Sequence, residues 1–176
     1  FKRLLEESTH PPLYFWLTRW WASLWLKDGD LVSLQVARSL SAVFGTLAIP
    51  GIFALGWRAF RSRLVGHFAA ILMAFSPYGV YLAQEARHYT LTVLWVIASL
   101  ACLVETLRLI NQKSRIPLWL SLLWIMVNGL GIATHYFFVL VLGAEAIAVL
   151  IFWLVIKAPS PGRYLRGLSL AGIGTL

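Results

Sequence analysis

The chain has 176 residues, of which 60% are hydrophobic and only 12% are charged, and its mean hydropathy is +0.77. These values exclude an ordinary soluble domain and indicate an integral membrane protein. The formal net charge is +8, but the basic residues cluster between apolar segments, which is how membrane topology is encoded. We therefore expect membrane lipids, and no nucleic acid, as partners. The single cysteine, Cys102, cannot form an internal disulfide, so redox chemistry is not indicated.

Residues 1–36 are predicted to form a non-cytoplasmic loop that contains an interfacial amphipathic helix. The stretch 13–26 is apolar but short for a membrane span. Pro11 and Pro12 suit the start of a helix, because its first turn does not use the N–H group that proline lacks. Indole rings favour headgroup depth, and this stretch carries Trp16, Trp20, Trp21 and Trp25. The alternative is a short tilted span, which would invert the topology unless another crossing is miscounted.

Residues 37–176 are predicted to form an all-α, polytopic transmembrane helix bundle. A bilayer core takes roughly 20 apolar helical residues to cross, and runs of about this length lie at 37–57, 64–83, 89–109, 117–133 and 136–156. A sixth run begins near Gly167 and is cut off at Leu176. Because the chain also begins at Phe1 rather than Met, we expect a fragment of a larger protein, truncated at both ends.

The connections between these runs alternate in charge. Segments 58–63, 108–115 and 157–166 each hold three Lys or Arg residues, whereas the other connections hold Arg87 or none. The positive-inside rule assigns the three basic connections to the cytoplasm. It follows that residues 1–36, 76–88 and 134–136 are expected on the opposite face of the membrane.

Five short motifs occur in or beside the segments assigned to that opposite face. They are HPPLY at 10–14, ARSLSA at 37–42, SP at 76–77, QEARHY at 84–89 and THYF at 134–137. In this order they resemble the dolichyl-phosphate-mannose-protein mannosyltransferase-like branch of the GT-C membrane glycosyltransferases, which includes the aminoarabinose lipid A transferases. The resemblance extends over nearly the whole chain.

The resemblance implies an enzyme that moves a sugar, a hexose or a pentose, from a polyprenyl-phosphate donor to a protein, lipid or glycan acceptor. It further implies inversion of the anomeric centre and a bacterial inner (plasma) membrane location, with the site facing the periplasm or exterior. Family members place an acidic residue in the first external loop, which is expected N-terminal to His10. Glu6 and Glu7 lie too close to Pro11 to replace it, so we expect the chain alone to be inactive.

The remaining site residues follow from the chemistry of the implied reaction. Cleavage of a sugar–phosphate bond leaves negative charge on the lipid phosphate, so cationic donors are needed beside it. Arg87 is the first candidate, because guanidinium presents a planar fork to phosphate, and His10 is the second, where the aminoarabinose branch has a lysine. Glu85 is the catalytic candidate within this chain, to align the acceptor or hold Arg87, and Tyr89 can donate to or stack on the sugar. Alternatively, Glu85 and Arg87 form a structural salt bridge.

His135 is either a substrate-binding residue or a helix cap. The sequence requires no cofactor. It allows a divalent metal, for which His10, Glu85 and His135 are weak candidate ligands because they lack a ligand spacing. Glu145 lies midway along its span, where a carboxyl group is expected to be functional or paired. The glycines at 129, 131 and 143 predict close helix packing.

Two other functional classes are compatible with this composition. A secondary transporter should carry charged groups near the bilayer midplane, and of the residues considered Glu145 alone favours it. A non-catalytic membrane assembly subunit would leave His10, Glu85 and Arg87 dispensable. An acidic residue between a first span and His10 would favour the transferase.

Overall fold

The structure is a computed structural model that describes residues 12–25 and 33–156. In these ranges 86% of the residues are helical and no strand occurs, so the predicted all-α membrane bundle is confirmed. The helices are α1 (Leu13–Ser23), α2 (Leu34–Phe60), α3 (Arg63–Ala74), α4 (Pro77–Gln84), α5 (Tyr89–Asn111), α6 (Leu118–Thr134) and α7 (Val139–Ile156), with a 3₁₀ turn at Tyr136–Phe138 between α6 and α7.

Three helical segments of the described chain are long and apolar enough to cross a membrane: α2, α5, and the 3₁₀ turn together with α7. They correspond to the first, third and fifth predicted runs. The fourth run forms α6, which has 17 residues, and the predicted sixth run lies outside the described residues. A fourth crossing is present if α3 and α4 together form one broken span.

The second predicted run is divided into two helices bent by 57°. Pro77 occupies the first turn of α4, and a proline pushes the residue before it out of helical conformation. Ser76 is accordingly extended, and its side chain accepts a hydrogen bond from the N–H of Gly79 at 3.1 Å. The Ser-Pro pair thus ends one helix and begins the next.

Small residues let neighbouring helices approach closely. The Cβ that an alanine would add at Gly56 on α2 lies 3.3 Å from the Cα of Gly66 on α3. Gly131 on α6 faces the ring of Phe138, which is 1% exposed. Gly131 thus permits close packing, but against the 3₁₀ turn and not against another helix. At Gly129 and Gly143 no described neighbour lies within 4 Å of an added Cβ, so the predicted helix packing is not observed there among the described residues.

Helix α1 rests on the beginning of α2. Tyr14 is 4% exposed and packs with Leu40 and Leu91, and the indole N–H of Trp21 donates to Ser39 Oγ at 2.9 Å. On its other side α1 exposes Trp16. The helix therefore has a packed face and an exposed aromatic face, as an interfacial helix requires, and its depth in the membrane stays a prediction.

A buried cluster of four polar side chains joins α5, α6 and α7. Its members, here called the buried cluster, are Ser99, Trp124, Asn128 and Glu145. Ser99 Oγ lies 2.5 Å from one carboxyl oxygen of Glu145, and the Trp124 indole N–H donates to the other at 3.1 Å. Ser99 Oγ also lies 2.7 Å from Asn128 Oδ1, and Glu145 is only 4% exposed. Glu145 is therefore paired. Beside it, Cys102 packs with Leu103 and Leu120 as a small core residue.

Candidate functional site

The turn between α4 and α5 holds the predicted acid and cation. The backbone N–H of Arg87 donates to the carbonyl of Glu85 at 2.8 Å, which closes a tight turn. Within it, Arg87 Nε lies 3.4 Å from Glu85 Oε2, and the two side chains are 62% and 32% exposed, respectively. The salt bridge that the sequence allowed is present, yet both partners remain accessible from outside the bundle.

Arg87 is cationic at every working pH. A hydrogen bond with the Tyr89 side chain, the charge of Tyr89 and then the charge of Glu85 raise the pKa of Arg87 further above its usual value. Arginine is the side chain whose fixed planar donors best match a phosphate. The turn therefore presents a permanent cation that Glu85 partly orients, of the side-chain type that suits a phosphate.

His88 and Tyr89 lie where the turn meets the start of α5. The imidazole ring of His88 contacts that of His135 there. His88 is 6% exposed, and its ring centroid lies 4.6 Å from that of Tyr89 and 4.7 Å from that of His135. The Tyr14 ring centroid lies 6.3 Å from that of His88 in an edge-to-face arrangement. Glu85, Arg87, His88, Tyr89 and His135 are called the end cluster below.

His135 reaches this cluster because α6 ends directly before it. Its backbone is extended, and its Nδ1 accepts a hydrogen bond from the N–H of Phe137 at 3.1 Å, so it caps the 3₁₀ turn. Thr134, beside it, accepts a hydrogen bond from the Trp95 indole at 3.0 Å. That bond joins the end of α6 to α5, which carries Tyr89. The capping role and the place in the cluster therefore coexist in His135.

A hydrogen-bonded chain links α1 to the turn. Ser41 Oγ donates to the Arg87 carbonyl at 3.2 Å and lies 2.7 Å from the Tyr14 hydroxyl. Because the serine hydroxyl has one hydrogen, Tyr14 is then the donor to Ser41. Burial raises the pKa of Tyr14, which keeps the phenol neutral and able to donate. Three of the five sequence motifs thus meet at one oxygen atom.

Two largely apolar cavities flank the end cluster. One, of about 240 Å³, is lined by Tyr89 and His135 together with Leu82, Thr92, Val93, Phe137, Phe138 and Val141. The other, of about 220 Å³, lies between α2, α4 and α5 and is lined in part by Gly45, Ala83, Gln84 and Thr90. Thr90 is 4% exposed, and in the described residues its hydroxyl has no hydrogen-bond partner.

Four of the five site residues predicted from sequence, Glu85, Arg87, Tyr89 and His135, therefore lie in one cluster, connected through the contacts above. His10 lies outside the described residues. No three His, Cys, Asp or Glu residues in the described ranges are placed to hold a metal, and a set that includes His10 remains a hypothesis. Ser76 is at the far end of α4, about 12 Å away at 1.5 Å per helical residue, and acts there as a helix cap.

His88, Ser41 and Tyr14 were not predicted as site residues. All three belong to motifs recognised in the sequence, and that is the signal by which they could have been found. Their burial and their contacts depend on how α1, α2 and α5 pack, which the residue order does not specify.

The motifs that meet here are those on which the family resemblance rests. The sequence model of the dolichyl-phosphate-mannose-protein mannosyltransferase family matches residues 9–173. The chain belongs to this family. No curated protein and no solved structure matches it. Membership implies a membrane glycosyltransferase of the GT-C type, and the end cluster is its candidate active-site region.

Proposed function

We propose that the protein transfers a sugar from a polyprenyl-phosphate donor to a protein, lipid or glycan acceptor on the non-cytoplasmic face of a bacterial inner membrane. The observation that carries the proposal is the end cluster itself: an accessible arginine, a tyrosine and two histidines beside cavities that open between apolar helices. A lipid-linked phosphate needs both a polar contact for its headgroup and an apolar path for its chain.

In the proposed reaction the acceptor oxygen attacks the anomeric carbon as the bond from that carbon to the lipid phosphate oxygen breaks. The bonding pair leaves on the phosphate, and Arg87 stabilises the charge that develops there. Glu85 holds the guanidinium from the side, while Tyr89 and His135 contact the sugar or its phosphate. His10 is proposed as a second cation. The base that takes the acceptor proton is assigned by the family resemblance to a carboxylate N-terminal to His10, and inversion follows from a single displacement.

A hexose and a pentose are both compatible with this arrangement. A divalent metal held by Glu85 and His135 with His10 stays a hypothesis, which a chelator such as EDTA would test by abolishing transfer reversibly. The transporter alternative depends on Glu145, but that carboxyl group is enclosed by Ser99, Trp124 and Asn128. This enclosure supports a packing role and favours the transferase.

The decisive experiment measures transfer from a polyprenyl-phosphate sugar by the full-length protein and by its Arg87 variants. Loss of one donor aimed at developing charge reduces kcat by about 10²–10³, and Arg87→Ala should do so. Arg87→Lys keeps the charge but loses the fork, so its loss should be smaller. Arg38→Ala, which removes an exposed arginine of α2 outside the cluster, is the matched control. Wild-type transfer by a correctly inserted Arg87→Ala protein would refute the role.

The membrane orientation is tested separately. In a Cys102→Ala background, single cysteines at positions 61 and 113 should be protected from an impermeant thiol reagent in intact cells, and a cysteine at position 136 should react. Tyr136 is 60% exposed in the bundle, so protein packing does not shield it, and a second cysteine at position 87, which is exposed as well, should react from outside too. Labelling of position 61 from outside would reverse the proposed sidedness.

A further inference from the structure

Two helix ends at the side of the bundle opposite the end cluster contain a residue with a left-handed backbone conformation. These two sites, at Arg61 and Lys113, are called the corners below. In the described residues, the non-glycine residues with positive φ are Arg61, at 57°, and Lys113, at 54°. Arg61 ends α2, and Lys113 follows the end of α5. Left-handed residues at helix ends are usually glycine or asparagine, because other side chains adopt this conformation at a cost in free energy. At both corners a cationic residue therefore occupies a position where glycine would adopt the backbone conformation at a lower cost in free energy.

Contacts place the two corners side by side. Glu105 on α5 lies between Arg58 of α2, at 3.6 Å, and Arg108 of α5, at 3.8 Å. Arg58 is 17 residues from Ser41 along α2, or about 26 Å at 1.5 Å per residue. This end is therefore distant from the end cluster and contains none of its residues.

The corners hold more positive charge than their one carboxylate can offset. Six cations occur between residues 58 and 63 and between 108 and 115, against Glu105 alone, which gives a net charge of +5. Glu105 contacts Arg58 and Arg108. In the described chain, Arg61, Lys113 and Arg115 have no carboxylate within 4.0 Å, and all three are exposed.

Exposed aromatic rings adjoin these cations. The guanidinium of Arg63 lies over the Trp57 ring, 4.9 Å from its centroid. Phe60 is 69% exposed beside the first corner, and Trp119 is 62% exposed beside the second. A dissolved anion would gain nothing from the rings, whereas a phospholipid presents a phosphate above acyl chains and matches both parts.

We propose that the corners at Arg61 and Lys113 together bind the headgroup of an anionic phospholipid. Arg61, Lys113 and Arg115 contact the headgroup charge, and the exposed rings pack against the upper acyl chain. This lipid is distinct from the proposed sugar donor, because its site is at the other end of the helices. The proposal does not depend on the sugar-transfer reaction.

The test uses substitutions that remove charge without straining the backbone. In the double variant Arg61→Gly with Lys113→Gly, each glycine adopts positive φ freely, so Tm in a neutral detergent should stay equal to or above that of the parent. We expect phosphatidylglycerol to raise the Tm of the full-length parent more than phosphatidylcholine does. The double variant should lose at least half of that difference. The pair Arg61→Lys with Lys113→Arg keeps the charge and should retain it.

Three outcomes would overturn the proposal. The parent could show no greater shift with phosphatidylglycerol than with phosphatidylcholine. The glycine variant could keep the full difference, in which case the cations serve only the helix ends. Inorganic phosphate at the same concentration could reproduce the shift, which would assign the site to free anions. If the glycine variant does not fold, Arg61→Asn with Lys113→Asn replaces it, because asparagine also tolerates this conformation.

Discussion

In the buried cluster each polar side chain forms a hydrogen bond with another member of the cluster. In the end cluster, by contrast, Arg87 is still 62% exposed although it is paired with Glu85. Both clusters contain a glutamate and hydrogen-bond donors. They differ in how many of their hydrogen-bonding groups remain accessible from outside the bundle. The hydrogen bonds of Glu145 are directed to neighbouring helices, while the guanidinium of Arg87 stays largely exposed although it also contacts Glu85 and Tyr89. Accessibility, and not the type of side chain, separates a packing network from a candidate site.

The largest effect on stability should come from breaking the buried cluster. Glu145→Leu removes one of the two acceptors of the Trp124 indole, the other being Ser99 Oγ, and it removes a partner of Ser99 and of Asn128. Stranding buried polar groups costs about 1–3 kcal/mol, and we expect the upper part of that range, measured as a lower Tm in detergent micelles.

Glu145→Gln is the matched control for this change, because glutamine keeps an acceptor and adds a donor. It should recover most of the lost stability and leave sugar transfer near the parental rate. If Glu145→Gln retained stability but abolished transfer, the carboxyl group would be functional, and the contrast between the two clusters would fail.

The next effect comes from filling the space at Gly131. A Cβ there would lie 2.5–2.6 Å from atoms of the Phe138 ring, and overpacking of this kind costs about 1–3 kcal/mol. Gly131→Ala should therefore lower Tm and displace the neighbouring His135, so that transfer falls as well.

Gly143→Ala is its control on the adjacent helix, where no described atom apart from the local helix backbone lies within 4 Å of the added group. Alanine is the better helix former, so this variant should be neutral or slightly stabilising. Equal destabilisation by both changes would contradict the packing explanation.

The smallest effect is expected for Tyr14→Phe. This change removes the hydrogen bond to Ser41 while it keeps the ring against Leu40 and Leu91, and a net hydrogen bond contributes about 1 kcal/mol. Transfer should fall only a few-fold, with a rise in the susceptibility of α1 to proteolysis. Tyr78→Phe, at a position 70% exposed, should change neither property.

The sequence predicted the regions of the fold that composition controls and missed those that depend on how helices turn toward each other. Long apolar runs gave α2, α5 and α7, because crossing hydrocarbon requires them. The division at Ser76 was legible as a Ser-Pro pair, yet the surrounding run was apolar enough to be interpreted as one span. The partners of Glu145 could not be predicted, because the rest of α7 is apolar on all sides and its sequence does not indicate which helix faces Glu145.

The candidate site was predictable to a similar degree. Glu85, Arg87, Tyr89 and His135 were recognisable as polar residues at helix ends within motifs of the family. The burial of His88 could not be predicted. His88 and Tyr89 are adjacent, between the polar turn and the apolar run of α5, so the sequence does not indicate which of them is buried. The packing of α1 against α2 and α5 is what buries the His88 ring and leaves the Tyr89 ring partly exposed.

The Ser41 hydroxyl contacts both the Tyr14 side chain and the Arg87 carbonyl, and therefore couples α1 to the turn thermodynamically. Two equilibria share that atom: the docking of α1, and the closed conformation of the turn that carries Arg87. Coupling between two such equilibria is reciprocal. A substrate bound at Arg87 as proposed would then hold α1 more firmly by the same factor, and anything that lifts α1 from the bundle would weaken that binding equally. A helix expected to lie in the membrane surface would in this way report on the state of the bilayer to the site beneath it.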